Sequence, residues 1–382
     1  MFNEMRVSKK IWVLAPRENK GMGAVNSSSD QTQSASKRLR GAIVGFGFIS
    51  GKGHFPAYQA RTDVEIVAVA DVCIARLEAA KKSNETIRTY NSIDELLAAE
   101  KELDFIDIST PPCDHFEIAL KALRAGLHVL CEKPLTASLE QARELLLAAR
   151  RYRRVVFPCH NYKHAPVVKT VDEIIASGEI GRVHGLTLNT YRTTHAKGVS
   201  EWKTDWRRDK KYSGGGIAMD HGSHTFYLTF NWLKSLPTAV TAKMVKISEA
   251  WDTEDNFSCV LTFPTGYASA HLSWTAGVRK VIYSIQGSQG AITIDDDDVQ
   301  VASQKGTRKF SIASHWGDAS HVQWFNSMFD QFVDCIRNSD YVNAELKEAY
   351  HCIQIIQRAY DSSNQSSLEQ QLDTTFEFLN HQ

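Results

Sequence analysis

The sequence predicts an α/β Rossmann domain with a parallel, doubly wound sheet, followed by an α+β domain with an open-faced antiparallel sheet. Three observations carry this. Between residues 39 and 158, short β-branched runs alternate with amphipathic helical stretches, as parallel strands require because each must be reached by a crossover. A glycine turn, Gly45-Phe-Gly47, follows the first of those runs. After about residue 180 strand-like runs succeed one another with turns but no helices between them, the pattern of an antiparallel sheet.

In chain order, residues 1–38 contain the polar stretch 26–36, rich in Ser and Gln. Such a stretch buries too little surface to order itself, so a disordered N-terminal extension, or an over-called start, is expected there. Residues 39–158 form the expected Rossmann domain, with strands at 39–45, 64–70, 105–108, 128–131 and 155–158. Helices are expected from the glycine turn to about 60, and at 74–82, 94–99, 116–125 and 139–150. Residues 159–365 form the second domain. Its strands fall at 183–191, 239–247, 256–263, 268–275, 280–286 and 291–294, and its closing helices at 324–337 and 344–362. These last helices have the option of packing back on the first domain. Residues 366–382 read as a C-terminal tail, and no internal repeat is visible.

Composition narrows the function classes. Lys plus Arg and Asp plus Glu both number 44 in a chain of 382 residues, which leaves no basic excess for nucleic acid or an anionic membrane. No apolar run approaches the roughly 20 residues that cross a bilayer. The stretch 11–15 after Lys9-Lys10 is shorter than the apolar segment of a secretion signal. The seven cysteines are scattered, with no CxxC pair, so neither a disulfide framework nor a cysteine zinc site is expected. A cytoplasmic protein with reduced cysteines is the expectation.

The segment 41–54 carries the first chemical signal. Gly45 permits a tight turn, Gly47 lets the backbone approach a pyrophosphate, and Ser50 holds the third position, which must be small. Phe48 and Ile49 open the following helix, whose first N–H groups are free for phosphate. Asp71 ends the next strand, where a carboxylate accepts from a ribose 2′-hydroxyl and repels a 2′-phosphate. NAD is therefore favoured over NADP. The competing reading is that Asp71 only caps the helix starting near Ile74. Arg76 is expected to be solvated on an exposed helix face.

Four further motifs stand in order along the chain. They are Ser109-Thr-Pro-Pro112 with His115, Glu132-Lys133-Pro134, Asn161-Tyr-Lys-His-Ala-Pro166, and Trp206-Arg-Arg-Asp209 leading into Gly214-Gly-Gly-Ile-Ala-Met-Asp220-His-Gly-Ser-His224. Together with Glu348 to Ser363, they resemble the glucose–fructose oxidoreductase / inositol dehydrogenase / MocA-type (Gfo/Idh/MocA) family over about residues 39–365. The resemblance implies an active site between a Rossmann domain and an open sheet, and a secondary alcohol of a sugar or cyclitol as substrate. It implies Lys133, Asp220 and His224 as the catalytic group. Ser109, Thr110, Pro111, His115, Glu132 and Lys133 would line the cofactor. Lys163 stands where the family often has Arg, His164 where an aromatic residue is common, and His221 where an apolar one is usual.

Those residue types suit the chemistry. Oxidising a secondary alcohol removes a proton while hydride leaves, and a histidine is a fitting base. Asp220 and His224, four apart, share a helix face, so the carboxylate is placed to orient the imidazole or bind substrate. Lys133 is placed to hold the hydroxyl and stabilise alkoxide charge. No metal is required. His164, Tyr191, Trp206 and His221 are candidate substrate contacts. His195, Lys197 and Trp202 belong to the same polar-aromatic loop, and Trp316, His321 and Trp324 have weaker claims. The expected activity is an NAD(H)-dependent oxidoreductase acting on a sugar, amino sugar, nucleotide sugar or cyclitol. The alternatives are an NAD-dependent glycoside hydrolase working by transient oxidation and elimination, and a non-catalytic dinucleotide-binding regulator. The expected partners are a small polyol or sugar-like molecule and further copies of the chain, as a homodimer or homotetramer.

Overall fold

The computed structural model describes residues 38–314 and 320–380. The expected N-terminal extension, and Trp316, lie outside the described residues.

Six parallel strands make the first sheet: β1 (Leu39–Val44), β2 (Val64–Ala70), β3 (Arg88–Tyr90), β4 (Phe105–Ile108), β5 (His128–Cys131) and β6 (Val156–Pro158). Their order is β3-β2-β1-β4-β5-β6, the doubly wound arrangement in which order reverses between β1 and β4 and leaves a crevice at the strands' carboxyl ends. The strands are nearly continuous apolar runs because helices cover both faces. Helix starts follow local chemistry. Ser92 accepts from Glu95 N and Ser138 from Gln141 N, each cap contributing about 1 kcal/mol.

The second sheet, in the order β14-β13-β12-β11-β7-β10-β9-β8-β15, is antiparallel except where β7 and β10 run parallel. It comprises β7 (Val183–Tyr191), β8 (Ala239–Val245), β9 (Asn256–Phe263), β10 (Gly266–Ser273), β11 (Lys280–Gly287), β12 (Gly290–Asp295), β13 (Asp298–Ser303), β14 (Gly306–Ser311) and β15 (Gln370–Gln371). One face packs on the helices Ile217–Leu233 and Ala344–Asn364. In β9, buried Phe257, Cys259, Leu261 and Phe263 alternate with exposed Ser258, Val260 and Thr262, so the other face is open.

Several elements differ from the expectations. The helix Pro166–Ala176 was not foreseen, because its buried Val167, Val168, Val171 and Ile174 are β-branched and read locally as strand. β3, β13 and β14 are short or polar strands that alternation alone does not reveal. The segment after 365 is more than a tail: Gln370–Gln371 pairs with β8, Leu372 is buried, and Phe376 and Phe378 pack against Tyr350.

The helix Val322–Arg337 does pack on the Rossmann sheet. Its Phe325, Met328, Phe329 and Phe332 join Phe46, Phe55, Tyr58, Phe105 and Phe157 in one apolar cluster. Tyr58 and Phe329 stack at 4.1 Å between ring centres, worth about 1 kcal/mol beyond their burial. Helix Ala344–Asn364 begins at an Asn343 cap accepting from Leu346 N and runs beneath the second sheet.

Candidate active site

The carboxyl ends of the parallel strands and helix Ile217–Leu233 enclose a cleft of about 850 Å³. Each strand delivers one part of its wall. After β1 comes the glycine turn: Gly45 has φ +91°, and a Cβ there would lie 2.8 Å from the backbone of Ser109 and Thr110. Only glycine tolerates both. At Gly47 a Cβ would meet nothing within 4 Å, so the backbone borders open cleft. Ser50 is fully buried and its Oγ donates to Gly45 O at 2.7 Å, which makes it a brace for the turn. The helix that follows starts with a π-helical turn, Ser50–His54, before Phe55–Gln59. Phe48 and Ile49 line the cleft.

After β2, Asp71 accepts from Phe46 N at 2.6 Å and from Cys73 N at 2.8 Å. It therefore braces the turns after β1 and β2 and lines the cleft at once, while the next helix starts after Cys73 without a side-chain cap. Arg76 is not solvated. Its side chain is 14% exposed, Nε donates to Phe46 O, and Nη1 pairs with Glu201 at 3.1 Å. Glu201 belongs to the loop after β7, and Glu201 O also accepts from Cys73 Sγ, so this loop reaches across to the end of β2.

After β4, Ser109, Thr110 and Pro111 line the cleft. His115 does not; it is fully buried, its ring spanning Thr110 O and Pro134 O at 2.8 and 2.9 Å. It ties the ends of β4 and β5 together rather than touching a ligand. After β5, Glu132 and Lys133 line the cleft, and the Lys133–Pro134 peptide is cis.

Behind Glu132 lies a charge cluster with no sequence signature. His54 donates from Nδ1 to Asp107 at 2.8 Å and from Nε2 to Glu132 at 3.0 Å, and Tyr58 also donates to Asp107. Burial disfavours the imidazolium, but the two carboxylates outweigh it and push His54 up to about 10. Burial likewise opposes ionisation of Glu132, and His54 with Lys133 overcomes it, holding the carboxyl below its ordinary range.

The opposite wall is helix Ile217–Leu233. Its start is fixed by Glu254, whose carboxylate accepts from Gly216 N and Ala218 N at 3.0 Å. A Cβ at Gly216 would lie 1.9 Å from Glu254 O. Asp220, His221 and His224 then face the cleft. Lys133 Nζ donates to Asp220 O at 2.8 Å and to its Oδ1 at 3.2 Å, and Arg207 Nε reaches the same Oδ1 at 3.3 Å. Burial works against the Asp220 carboxylate, but Lys133, Arg207 and His221 hold it well below the usual range. Asp220 therefore anchors Lys133 and does not orient His224.

His224 is oriented by Tyr227. The ring of Tyr162 stacks on it at 3.9 Å, and its Nδ1 lies 2.6 Å from Tyr227 Oη. That oxygen already accepts from Tyr162 N at 3.1 Å. Its buried proton therefore goes to His224 Nδ1; the reverse tautomer leaves the phenol donor unmatched, costing about 1–3 kcal/mol. On this hydrogen-bonding argument the imidazole proton sits on Nε2. Burial, with Lys133 and His221 adding repulsion, keeps His224 uncharged well below its ordinary value. His221 is lowered to about 3, by burial first and then by Arg192, Lys133 and Arg207 against the attraction of Asp220.

The substrate candidates divide. Trp206 and His221 line the cleft, with Lys197, Trp202 and His321. Tyr191 does not, because buried Leu186, Leu188 and Thr190 alternate with it along β7 and turn it to the open face against His271. His164 is also absent from the wall; it is buried and bonded to Ser327 at 2.8 Å. Lys163 sits in an ion cluster with Glu345, Glu348 and His160. His195 is buried against Asp205, and Trp324 lies under His321. Sequence reasoning missed Asn161, Tyr162, Arg192 and Arg279, which do line the cleft; only the motif around Asn161 hinted at any of them.

The residues present fit a dinucleotide. Gly47 leaves room at the turn, and Thr110 Oγ1 is a buried polar atom without a protein partner on the same wall. The Gly45–Gly47 turn, Asp71, Ser109 and Thr110 would hold the phosphates and ribose, with the nicotinamide end toward Glu132 and Lys133. Fold and site together define a dinucleotide-binding oxidoreductase architecture. The family models described as "Oxidoreductase family, NAD-binding Rossmann fold" and "GFO/IDH/MocA C-terminal domain" match residues 39–160 and 168–293, and the chain belongs to this GFO/IDH/MocA oxidoreductase family. D-glucoside 3-dehydrogenase of Escherichia coli is 32% identical over 50% of this chain and 52% of its own length. The NADP(+) scyllo-inositol 2-dehydrogenase IolW of Bacillus subtilis is 25% identical over 59% of this chain and 60% of its own. Both matches span less than two thirds of the relative. The crystal structure of GenD2 from gentamicin A biosynthesis, in complex with NAD, superposes with a TM-score of 0.76 at 25% identity, covering 92% of this chain and all of the other. Among the described residues no helix is long and apolar enough to cross a membrane.

Proposed function

We propose that this protein is an NAD-dependent dehydrogenase that interconverts a secondary alcohol and a ketone on a sugar, amino sugar, nucleotide sugar or cyclitol. The observation that carries the reading is the meeting of Lys133 and His224 at one end of the cleft whose other end is the glycine turn. When bound, NAD would supply the hydride acceptor at nicotinamide C4.

The protein's own groups divide the remaining work. Asp220 holds Lys133 Nζ by two contacts, leaving its third hydrogen position for the substrate oxygen. In reduction the Lys133 ammonium gives this third proton to the carbonyl oxygen as hydride reaches the carbon; in oxidation the same Nζ, first deprotonated to the amine by solvent, takes the hydroxyl proton on the freed lone pair. His224 donates from Nε2 to the same oxygen and stabilises charge there. This reverses the expectation that His224 is the base, because its basic nitrogen faces Tyr227. Asp71 supports NAD over NADP, since its carboxylate would repel a 2′-phosphate.

The open face of the second sheet exposes Val260 and Tyr267, which supports self-association as a homodimer or homotetramer, measurable by light scattering. The seven free cysteines fit a reducing compartment such as the cytoplasm. The test of activity is NADH formation with a panel of polyols. Net reduction supports the dehydrogenase, whereas glycoside cleavage without net NADH removes it in favour of the hydrolase.

A further inference from the structure

Beyond Asp220 the cleft wall is made by the joined ends of β7 and β11. These strands are antiparallel neighbours, with Lys280 opposite Tyr191. Arg192, one residue past β7, and Arg279, one before β11, therefore emerge together at the same sheet edge, and both line the cleft. Arg192 is half-buried and Arg279 exposed at the rim.

The main chain at Arg192 is fixed by its neighbours. Its N–H donates to Ser273 O at 2.8 Å, and its carbonyl accepts from Ala276 N at 3.1 Å. The guanidinium donates through Nη1 to Tyr191 O at 2.9 Å. Among the described residues no carboxylate lies within ion-pair distance of it, although a guanidinium offers five donors.

Among the described residues the wall around Asp220 has more basic groups than carboxylates. Lys133 and Arg207 share the one carboxylate of Asp220, and His221 is neutral. The other carboxylates of the wall are Asp71, Asp94, Asp114, Glu117 and Glu132. Four of them lie on the cofactor side, and Glu132 is matched by His54. The oxidised nicotinamide would add another positive charge. Arg279 itself is shifted down, by burial first and by Arg192 second, against the attraction of Asp296 and Asp297. A half-buried guanidinium without a carboxylate partner is poorly used on neutral hydroxyls alone, whereas a carboxylate or phosphate matches the planar fork of Arg192.

We infer that the substrate is an anionic polyol, a sugar acid or sugar phosphate, whose charged group is gripped by Arg192 with Arg279 beside it while the carbinol lies between Lys133 and His224. This rests on the dehydrogenase reading for turnover, but not for binding. The probes are glucose, glucuronate and glucose 6-phosphate, applied to the full chain in two assays. In the first, binding is followed by the fluorescence of NADH held by the protein. At least one anion is expected to bind tenfold or more tightly than glucose, with Arg192→Ala cutting that ratio at least tenfold and Arg192→Lys retaining part of it. Whether glucuronate or glucose 6-phosphate wins distinguishes carboxylate from phosphate. In the second, NADH formation from NAD is followed with the same molecules. Preferential anion binding that depends on Arg192, without turnover of any sugar or polyol, keeps this inference and removes the dehydrogenase reading. Glucose binding as tightly as both anions, or an Arg192→Ala variant that weakens all three alike, overturns the inference whatever the turnover.

Discussion

The phenol oxygen of Tyr227 lies 2.6 Å from Nδ1 of His224 and is held in place by the backbone N–H of Tyr162. This contact decides which nitrogen of His224 faces the substrate as a donor. The expected outcome is that 15N NMR of the resting protein finds the His224 proton on Nε2. Tyr227→Phe removes the donor to Nδ1, allows the other tautomer, and adds an imidazole ionisation to the pH profile of kcat/KM while lowering kcat by about tenfold. A purely structural Tyr227 would change stability and leave the profile's shape alone. Finding Nδ1–H in the wild-type protein would return the base role to His224.

Lys133 spends two of its hydrogens on Asp220, so the group exchanging the substrate proton is held by a residue of the opposite wall. Lys133→Met is expected to reduce kcat/KM by about 10²- to 10⁴-fold. NAD affinity, measured by calorimetry, should change little because the phosphates and ribose are held by other residues. Unimpaired turnover would take Lys133 out of the mechanism.

Much of this arrangement was legible in the sequence, and the failures share a physical cause. The parallel sheet, the glycine turn and Asp71 could be placed because strand ends convert directly into position, whereas Lys133, Asp220 and His224 were picked out by the motifs that carry the family resemblance, the i,i+4 spacing adding only that the last two share a helix face. Tyr191 and His164 were misplaced because a side chain's direction depends on the pleat of β7 and on packing against helix Val322–Arg337. The sequence shows neither. His115 shares its motif with residues that do line the cleft, yet spans two carbonyls. Arg192 and Arg279 are 87 residues apart in number and become neighbours only through the pairing of β7 with β11. The His54–Asp107–Glu132 cluster joins three elements, and no local pattern announces it.

Asp71 stands beside a cation already fixed on the protein, since Arg76 is anchored by Phe46 O and Glu201. Phe46 N and Cys73 N bond different oxygens of the carboxylate, so an amide removes the charge and keeps one of the two bonds, weakening the turn by about 1–3 kcal/mol while changing cofactor preference. Asp71→Asn is expected to weaken NAD by about tenfold, as loss of one charged hydrogen bond predicts, and to improve NADP relative to NAD. The ratio of kcat/KM for the two cofactors measures it. An unchanged ratio would show that Asp71 acts only as a brace between the two turns.

His54 makes the folded protein sensitive to alkali. In the unfolded chain its imidazole titrates near 6.5, whereas between Asp107 and Glu132 it is raised to about 10. A raised folded value means that the charged form is bound more tightly when folded. Its contribution is therefore complete below about pH 6.5 and is lost as pH climbs toward about 10. Glu132, lowered in the fold, works in the other direction, contributing above its ordinary range and losing that contribution in acid. Urea unfolding from pH 6 to pH 10 should show falling stability. His54→Gln strands two buried carboxylates and should cost about 3–5 kcal/mol at pH 6. The loss should be smaller at pH 10, because the wild-type imidazole has by then given up much of its charge. Equal losses at both ends of the range would mean that His54 is not held as an imidazolium, and that the proton between Asp107 and Glu132 belongs to a carboxyl group.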